Sequence, residues 1–397
     1  MAATGVADYF LSEVFAEPRM AARIIGWVQT GSELELGARL EGHRGGGCPQ
    51  GWWPLADGRG YMCGGRGLQV GKKTRPTRRG TAIARRGELV PYKYALIHAQ
   101  SGSPRYARRP TEEEQSAKEA LGPAGVDGGL VSGFMRRGFM VSVRGVAGRQ
   151  PRAFWSCVRG GYVRYDHGYT LRPRPFRGVA AGPITLPIAF VTAYRPKRYR
   201  EAAGALVEDG ESERLVHFAL AGERTVGGEP VLAAPDGALF KRGDCSLVRL
   251  PPRPPDLAAA ERWIHVSLAD QALVAMEGDR AVYATVVSTG QPTPGRRTRP
   301  GTFRIESKHV SATMDDDSAG DTYSIEDVPW TMFYDHSYAL HGAFWHERFG
   351  HPQSHGCVNL SAADARWLFE WAGPTLPPGW YGMVATSRNP GSRVVIQ

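Results

Sequence analysis

Apolar residues recur along this chain in short runs broken by Gly and Pro, a spacing that predicts strands. From residue 262 the alternation is clean: Ile264, Val266 and Leu268 alternate with His265, Ser267 and Ala269. Residues 272–278, 281–288, 301–306, 381–386 and 393–396 read the same way. Near the start, Ile24, Ile25, Trp27 and Val28 precede a Gly turn. Leu34, Leu36 and Leu40 alternate after it, followed by Trp52-Trp53-Pro54-Leu55 and Gly60-Tyr61-Met62-Cys63. Helix signals are few. Thr111 caps an acid-led segment over 111–120, since its hydroxyl accepts an orphan N–H and the acids meet the positive helix end. Ser361 with Asp364 three residues later opens a second helix, whose Ala363, Trp367, Leu368 and Trp371 fall on one face.

These signals predict a mainly β chain in four parts. Residues 1–70 read as a small β-barrel and 71–87 as a basic linker. Residues 88–255 read as a β-rich accessory region, with strand signals at Tyr92–Ile97, Phe154-Trp155, Gly161–Val163 and Leu215–Leu220. Pro251, Pro252, Pro254 and Pro255 mark a stiff boundary before a final domain over 256–397.

The net charge of +10 is uneven: residues 1–260 hold 38 Lys and Arg against 24 Asp and Glu, and 261–397 hold 11 against 15. A basic first part suits an anionic partner, although a solvated basic surface is the default. The run Lys72, Lys73, Arg75, Arg78, Arg79, Arg85, Arg86 has no interleaved aromatics, so nucleic-acid binding is not expected. No stretch approaches the roughly 20 apolar residues of a membrane helix. The start, Met1-Ala2-Ala3-Thr4 running into Asp8, does not read as a signal peptide, so an exported form is expected to have lost a leader.

Of five cysteines, Cys48, Cys63, Cys157 and Cys245 lie in the first 260 residues and Cys357 lies near the end. Two disulfides and one reactive thiol are expected. Four cysteines allow three connectivities, and Cys48–Cys63 with Cys157–Cys245 is preferred because each loop then closes within one domain. That implies an oxidising compartment. No Cys-x-x-Cys is present, and His346-Glu347-x-x-x-His351 is one residue too long for a helical zinc pair. No metal and no cofactor are expected.

The sharpest signal is Ser354-His355-Gly356-Cys357-Val358-Asn359, with His341 sixteen positions before the cysteine. Cysteine attacks as thiolate, and an imidazole supplies the base that makes it. This chemistry requires the sulfur to be ionised, reachable and outside any disulfide.

His341-Gly342 followed by Ser354-His355-Gly356-Cys357-Val358-Asn359 resembles the signature of the L,D-transpeptidases, peptidoglycan cross-linking enzymes. The opening strand, the 272–278 hairpin and Val287-Ser288-Thr289-Gly290 before Pro294-Gly295 fit the same resemblance, which spans about 262–386. It implies a β-sandwich with one principal helix. Cys357 would be the nucleophile, His341 its base, and the Gly342 carbonyl the group orienting that imidazole. Backbone N–H groups of Gly356 and Cys357 would form the oxyanion hole. Ser354, His355, Asn359, Trp345 and Tyr338 would shape the site or meet substrate. The long segment 307–329, with Asp315-Asp316-Asp317, reads as a family-variable lid. Residues 15–70 likewise resemble bacterial SH3-like modules, which accompany cell-wall enzymes.

The implied activity is 3→3 cross-linking by a cysteine acyl-enzyme. The donor is a tetrapeptide stem that releases D-alanine, the acceptor is a stem amine, and carbapenems acylate the same sulfur. The implied place is the periplasm or cell wall, in a role affecting cell shape. Other acceptors stay open: water, for a carboxypeptidase or endopeptidase, or an outer-membrane protein tethered to the wall. So does a non-catalytic module that binds wall polymer.

Overall fold

Residues 3–40, 47–71, 83–180, 185–316 and 322–397 are described by a computed structural model, mainly β with two α-helices among them. Neither helix is long and apolar enough to cross a membrane. The chain divides into two units. One comprises Met1–Pro173, His309–Pro329 and Leu376–Val384; the other comprises Arg174–Lys308, Trp330–Thr375 and Ala385–Gln397.

This division differs from the expected boundaries. The stretch 88–255 parts after Pro173, and residues 309–329 and 376–384, expected within 256–397, group with the first unit. The proline cluster at 251–255 does not separate the two units, since strand Cys245–Val248 before it and strand Arg262–Ser267 after it share one of them. The run expected as a basic linker is described only at its flanks, and residues 72–82 lie outside the described residues. So does Asp317 of the acidic run.

In the first unit, Ala3–Ala7 pairs with Glu33–Leu36 and Leu68–Val70, and Leu11–Phe15 pairs with Ile24–Gln29. Val14, Ile25, Val28, Leu36, Met62 and Trp380 form one core, as the alternation predicts. Cys48 and Cys63 are bonded to each other. Helix Glu112–Leu121 carries a complete capping box between Thr111 and Glu114. Residues 323–329, the expected lid, enter this unit's packing: Ile325 pairs with Met140, and Glu326 and Asp327 both bond to Ser142.

Cys157 and Cys245 correct the second expected disulfide. Both are buried free thiols, Cys157 in the first unit and Cys245 in the second. Each sits at zero to a few per cent exposure, and burial pushes each thiol up to about 12. They are small apolar core residues.

The six-stranded sheet of the second unit runs in the order Val179–Ala180, Arg280–Val286, Ala272–Glu277, Arg262–Ser267, Arg393–Ile396, Gly301–Arg304. Arg262–Ser267 and Arg393–Ile396 run parallel, and the pairing of Arg262–Ser267 with Ala272–Glu277 is antiparallel. Trp263, Val274, Met276, Ala284 and Val395 form the core beneath. Helix Ala362–Trp371 is capped by Ser361, whose hydroxyl accepts from Asp364 N–H at 3.0 Å. Its buried face is Ala362, Asp364, Ala365, Leu368 and Phe369, not the Trp-bearing stripe expected. Trp367 and Trp371 instead stack beside each other, with Trp367 against Tyr283 at 4.1 Å.

One repeat was not apparent in the residues. Phe154–Cys157, Tyr162–Arg164, a 3₁₀ turn Tyr165–His167 and Gly168–Leu171 follow one another. Glu229–Ala233, Leu239–Lys241, a 3₁₀ turn Arg242–Asp244 and Cys245–Val248 repeat that order.

Candidate active site

Strand Tyr338–Gly342 pairs antiparallel with Met332–Asp335 on one side and parallel with Val358–Leu360 on the other. The parallel register sets His341 opposite Asn359 and Leu340 opposite Val358. Cys357 therefore enters one residue before that strand, two short of the partner of His341. Asn359 is held from behind as well, by a two-way backbone bridge with Ser288 at 2.9 Å each way.

Cys357 is a free cysteine, partly exposed. Its thiol donates to Ser337 O at 3.8 Å. Burial pushes the thiol up to about 11, opposed by a backbone N–H bond from Ala339. His341 is 2 % exposed. Burial pushes it down to about 4, opposed by the Gly342 carbonyl and reinforced by the neighbouring His346. Nδ1 lies 3.5 Å from Gly342 O, at the long limit of a hydrogen bond. Both shifts run against the expected ionised sulfur, since burial favours the thiol on Cys357 and the neutral imidazole on His341. Desolvation disfavours both charges.

The turn carrying the cysteine is fixed by its own serine. Ser354 Oγ donates to Cys357 O at 2.5 Å and accepts from Gly356 N–H at 3.0 Å. Gly356, expected as one oxyanion donor, therefore has its N–H committed within the turn. Thr298 accepts from Gly290 N–H and donates to Gly356 O, both at 2.8 Å. Gly356 has φ +130°, and a Cβ there would sit 2.3 Å from Tyr338 Cε1. Tyr338 thus lies against the turn, with the Arg299 guanidinium 4.9 Å from its ring. Arg299 also reaches Asp335 at 3.4 Å.

Trp345 stacks on His341 with ring centroids 5.8 Å apart and also packs on the core. His355 is half-buried between Ser354 and Gly356. Asn359 faces His346 Nε2 at 2.9 Å, and burial, then Arg348 and Arg214, push His346 down to about 4. The loop between them is tied down: Arg214 donates to Glu347 O, Phe349 O and Thr192 O at 2.5, 2.8 and 3.2 Å. A cavity lined by Thr192, Tyr194, Arg214, Arg348 and His351 opens beside this loop, and Cys357 does not line it.

The structure so brings Cys357, His341, Gly342, Ser354, Gly356, Asn359, Trp345 and Tyr338 into one neighbourhood. It adds Ser337, Ala339, Thr298 and Arg299, which sequence reasoning missed. Ser337 and Ala339 act through their backbone, and Thr298 lies 58 residues from the carbonyl it holds, so no local pattern marks them.

Residues 261–396 match the L,D-transpeptidase catalytic domain known as YkuD. A putative L,D-transpeptidase, YciB of Bacillus subtilis, is 27% identical over 133 residues, covering 29% of this chain and 63% of that protein. Among solved structures, an Enterococcus faecium L,D-transpeptidase is 21% identical, with 34% of this chain and 50% of that chain covered and a TM-score of 0.28. An L,D-transpeptidase from Mycobacterium smegmatis is 16% identical, with 56% and 96% covered and a TM-score of 0.29.

Proposed function

We propose, on the premise that residues 261–396 form an L,D-transpeptidase catalytic domain, that this chain joins peptidoglycan stems through an acyl-enzyme on Cys357. The observation that carries the reading is the register of the parallel pair. Cys357, free and partly exposed, immediately precedes the strand that pairs with the one bearing the buried His341.

His341, neutral above about pH 4, takes the thiol proton as the sulfur attacks the carbonyl of the third stem residue. The C–S bond forms while the C–N bond to D-alanine breaks, and the proton goes to the departing amine. A side-chain amine of a second stem then attacks the thioester, releases the thiol and gives a 3→3 link. Trp345 stacked on the imidazole limits its rotation. Tyr338, against the turn that carries the sulfur, and Arg299 over its ring offer an aromatic face and a cation to the stem peptide. No cofactor takes part in these steps.

The place of action is the cell wall, and the disulfide Cys48–Cys63 fits an oxidising compartment such as the periplasm. The N-terminal strands are read as an SH3-like module that binds wall polymer. Incubating the protein with purified muropeptides and weighing the products tests this. A cross-linked dimer with loss of one D-alanine is the expected result. A shortened stem alone means water is the acceptor, and an unchanged substrate overturns the reading.

A further inference from the structure

A cavity of about 320 Å³ opens between residues 192–194 with Arg214 and loop 347–353. That is the small end of ligand-sized pockets, with room for a chain end but not for a polymer. Thr192, Tyr194 and Arg214 lie outside the 261–396 match, so the catalytic domain alone does not form it. Its charge is unbalanced. Arg214 donates to the carbonyls of Thr192, Glu347 and Phe349 and keeps its positive charge. Glu347, the one carboxylate among the lining residues, is paired with Arg174. The exposed Arg348 guanidinium then has no anionic partner among the described residues. Tyr194, 86 % exposed, leaves its ring open on the same wall. A free planar guanidinium fork matches the two oxygens of one carboxylate. A phosphate dianion suits the cavity less, because Arg214 is spent on carbonyls and the Glu347 carboxylate stands in the wall.

Short bonds fix this cavity to the catalytic strands. Ser288 Oγ donates to Arg348 O at 2.9 Å, while the Ser288 backbone holds Asn359. Thr289 O accepts from Gln353 N–H at 2.8 Å and from Ser354 N–H at 3.0 Å. Gln353 lines the cavity, and Ser354 beside it bonds to Cys357 O and Gly356 N–H. Gln353 and Cys357 are four positions apart, so their Cα atoms lie within about 14 Å of each other. The donor stem does not fit the cavity. Its D-alanine carboxylate lies one residue, about 3.8 Å, beyond the carbonyl that bonds to sulfur, and Cys357 does not line the cavity. The acceptor stem approaches amine first, along the side chain of a diamino acid, and its carboxylate trails several bonds behind. We propose that the cavity holds the terminal carboxylate of the acceptor stem, with the Arg348 fork on its oxygens and the Tyr194 ring along its chain. This rests on the acyl-enzyme reading of Cys357. In the step served, the neutral amine attacks the thioester carbonyl. The C–N bond forms, the C–S bond breaks, and the amine proton returns to sulfur through His341. Arg348 sets which acceptor is held and takes no part in the bond changes.

Two probes test this on the full chain: Nα-acetyl-L-lysine and its C-terminal amide. Both carry the side-chain amine, neither is a tetrapeptide donor, and they differ only in the carboxylate. Binding is read by NMR, through the arginine Nε–H and glutamine amide signals. The acid is expected to shift Arg348 and Gln353, and the amide to bind about 10-fold more weakly, the worth of one solvent-exposed charge-assisted hydrogen bond. Arg348→Gln should bring the acid down to the affinity of the amide. With a muropeptide tetrapeptide as donor, the same variant should raise the KM for the acid about 10-fold. Its kcat and its first-turnover release of D-alanine should stay within twofold of the parent. A merely structural role for Arg348 would slow D-alanine release as well, and that result overturns the proposal. So does equal binding of acid and amide to the parent, a measurement that needs no variant, or an acceptor KM unmoved in Arg348→Gln. If the parent binds the acid at Arg348 yet leaves muropeptides untouched, the peptidoglycan reading fails while the carboxylate site stands. If muropeptides react while acid and amide bind alike, the site fails and the reading stands.

Discussion

The His346 imidazole and the Asn359 side-chain amide face each other at 2.9 Å, nitrogen to nitrogen, while Asn359 Oδ1 is buried and meets no partner among the described residues. His346 Nδ1 accepts from the Arg348 N–H at 3.2 Å, so in the neutral ring Nε2 carries the proton. The group opposite must then be an acceptor, and a half-turn of the amide makes it one: Nε2–H donates to Oδ1. Asn359 is thereby a link between the catalytic strand pair and the loop that Arg214 ties down. Asn359→Asp places a full negative charge at that acceptor, so His346 is expected to titrate at least one unit above about 4. An NMR titration of the imidazole carbons checks this; an unmoved midpoint would show that the amide does not accept from His346.

The neutral resting pair fixes the shape of the pH dependence. Alkylation by iodoacetamide requires thiolate, so its rate should keep rising with pH toward a midpoint near 11. A thiolate–imidazolium pair would instead give a plateau from near neutrality. Acylation with His341 as base should change little between about pH 5 and 10, since His341 is neutral above about 4. His341→Gln should slow acylation by about 10² to 10⁴, and stopped-flow release of a chromophoric leaving group reads it. An alkylation midpoint near 7 would sink the neutral-pair description.

Much of this site is written in one local stretch. Cys357, Gly356, Ser354 and Asn359 follow each other, and strand alternation from Ile264 to Val266 placed the sheet that backs them. What escaped has a physical reason in each case. Ala339 and Ser337 act through backbone atoms, which any residue carries. Burial, which raises the Cys357 thiol, comes from tertiary packing that the local motif does not encode. Cys157 and Cys245 were paired by counting, but burial suits a free thiol as well as a disulfide does. The helix at 362–371 buries Asp364 because Tyr283 and Thr285 donate to it, a tertiary compensation that periodicity does not encode.

Gly356→Ala should abolish acylation. The added methyl meets the Tyr338 ring at 2.3 Å in a backbone with φ +130°, a conformation that side chains disfavour. The turn must open, which breaks the Ser354 contacts on both sides of it. The rest of the fold should survive, with a stability loss of about 1–3 kcal/mol. Carbapenem adducts seen by intact mass, beside a denaturant melt, separate the two effects. Full acylation in this variant would mean the turn is not held as described.

Reduction of Cys48–Cys63 should weaken the first unit without touching the chemistry. The bond closes a loop with a sequence separation of 15, which constrains the unfolded chain by about 3 kcal/mol. Dithiothreitol should therefore shift the unfolding of that unit, followed by limited proteolysis between residues 3 and 71. The alkylation rate of Cys357 should stay within twofold, because that thiol is free before reduction. A Cys357 that gains reactivity only on reduction would contradict its description as a free thiol.

Acid should destabilise the fold between pH 6.5 and 4. Burial is the first cause that pushes His309, His341 and His346 down to about 4 from an ordinary value of 6.5. Within that window the unfolded chain binds protons that the folded chain refuses. Stability therefore falls as pH drops from 6.5 and levels off below 4, by up to about 3 kcal/mol for each histidine. Above 6.5 these groups contribute no slope, since both states are neutral. His309, with its ring 5.0 Å from Trp27, belongs to the first unit and not to the one holding Cys357, which isolates the effect. His309→Gln should lower proton uptake on unfolding at pH 5.3 by nearly one proton, measured by pH-stat titration. Uptake equal to the parent's would mean that His309 is already protonated in the folded chain at that pH.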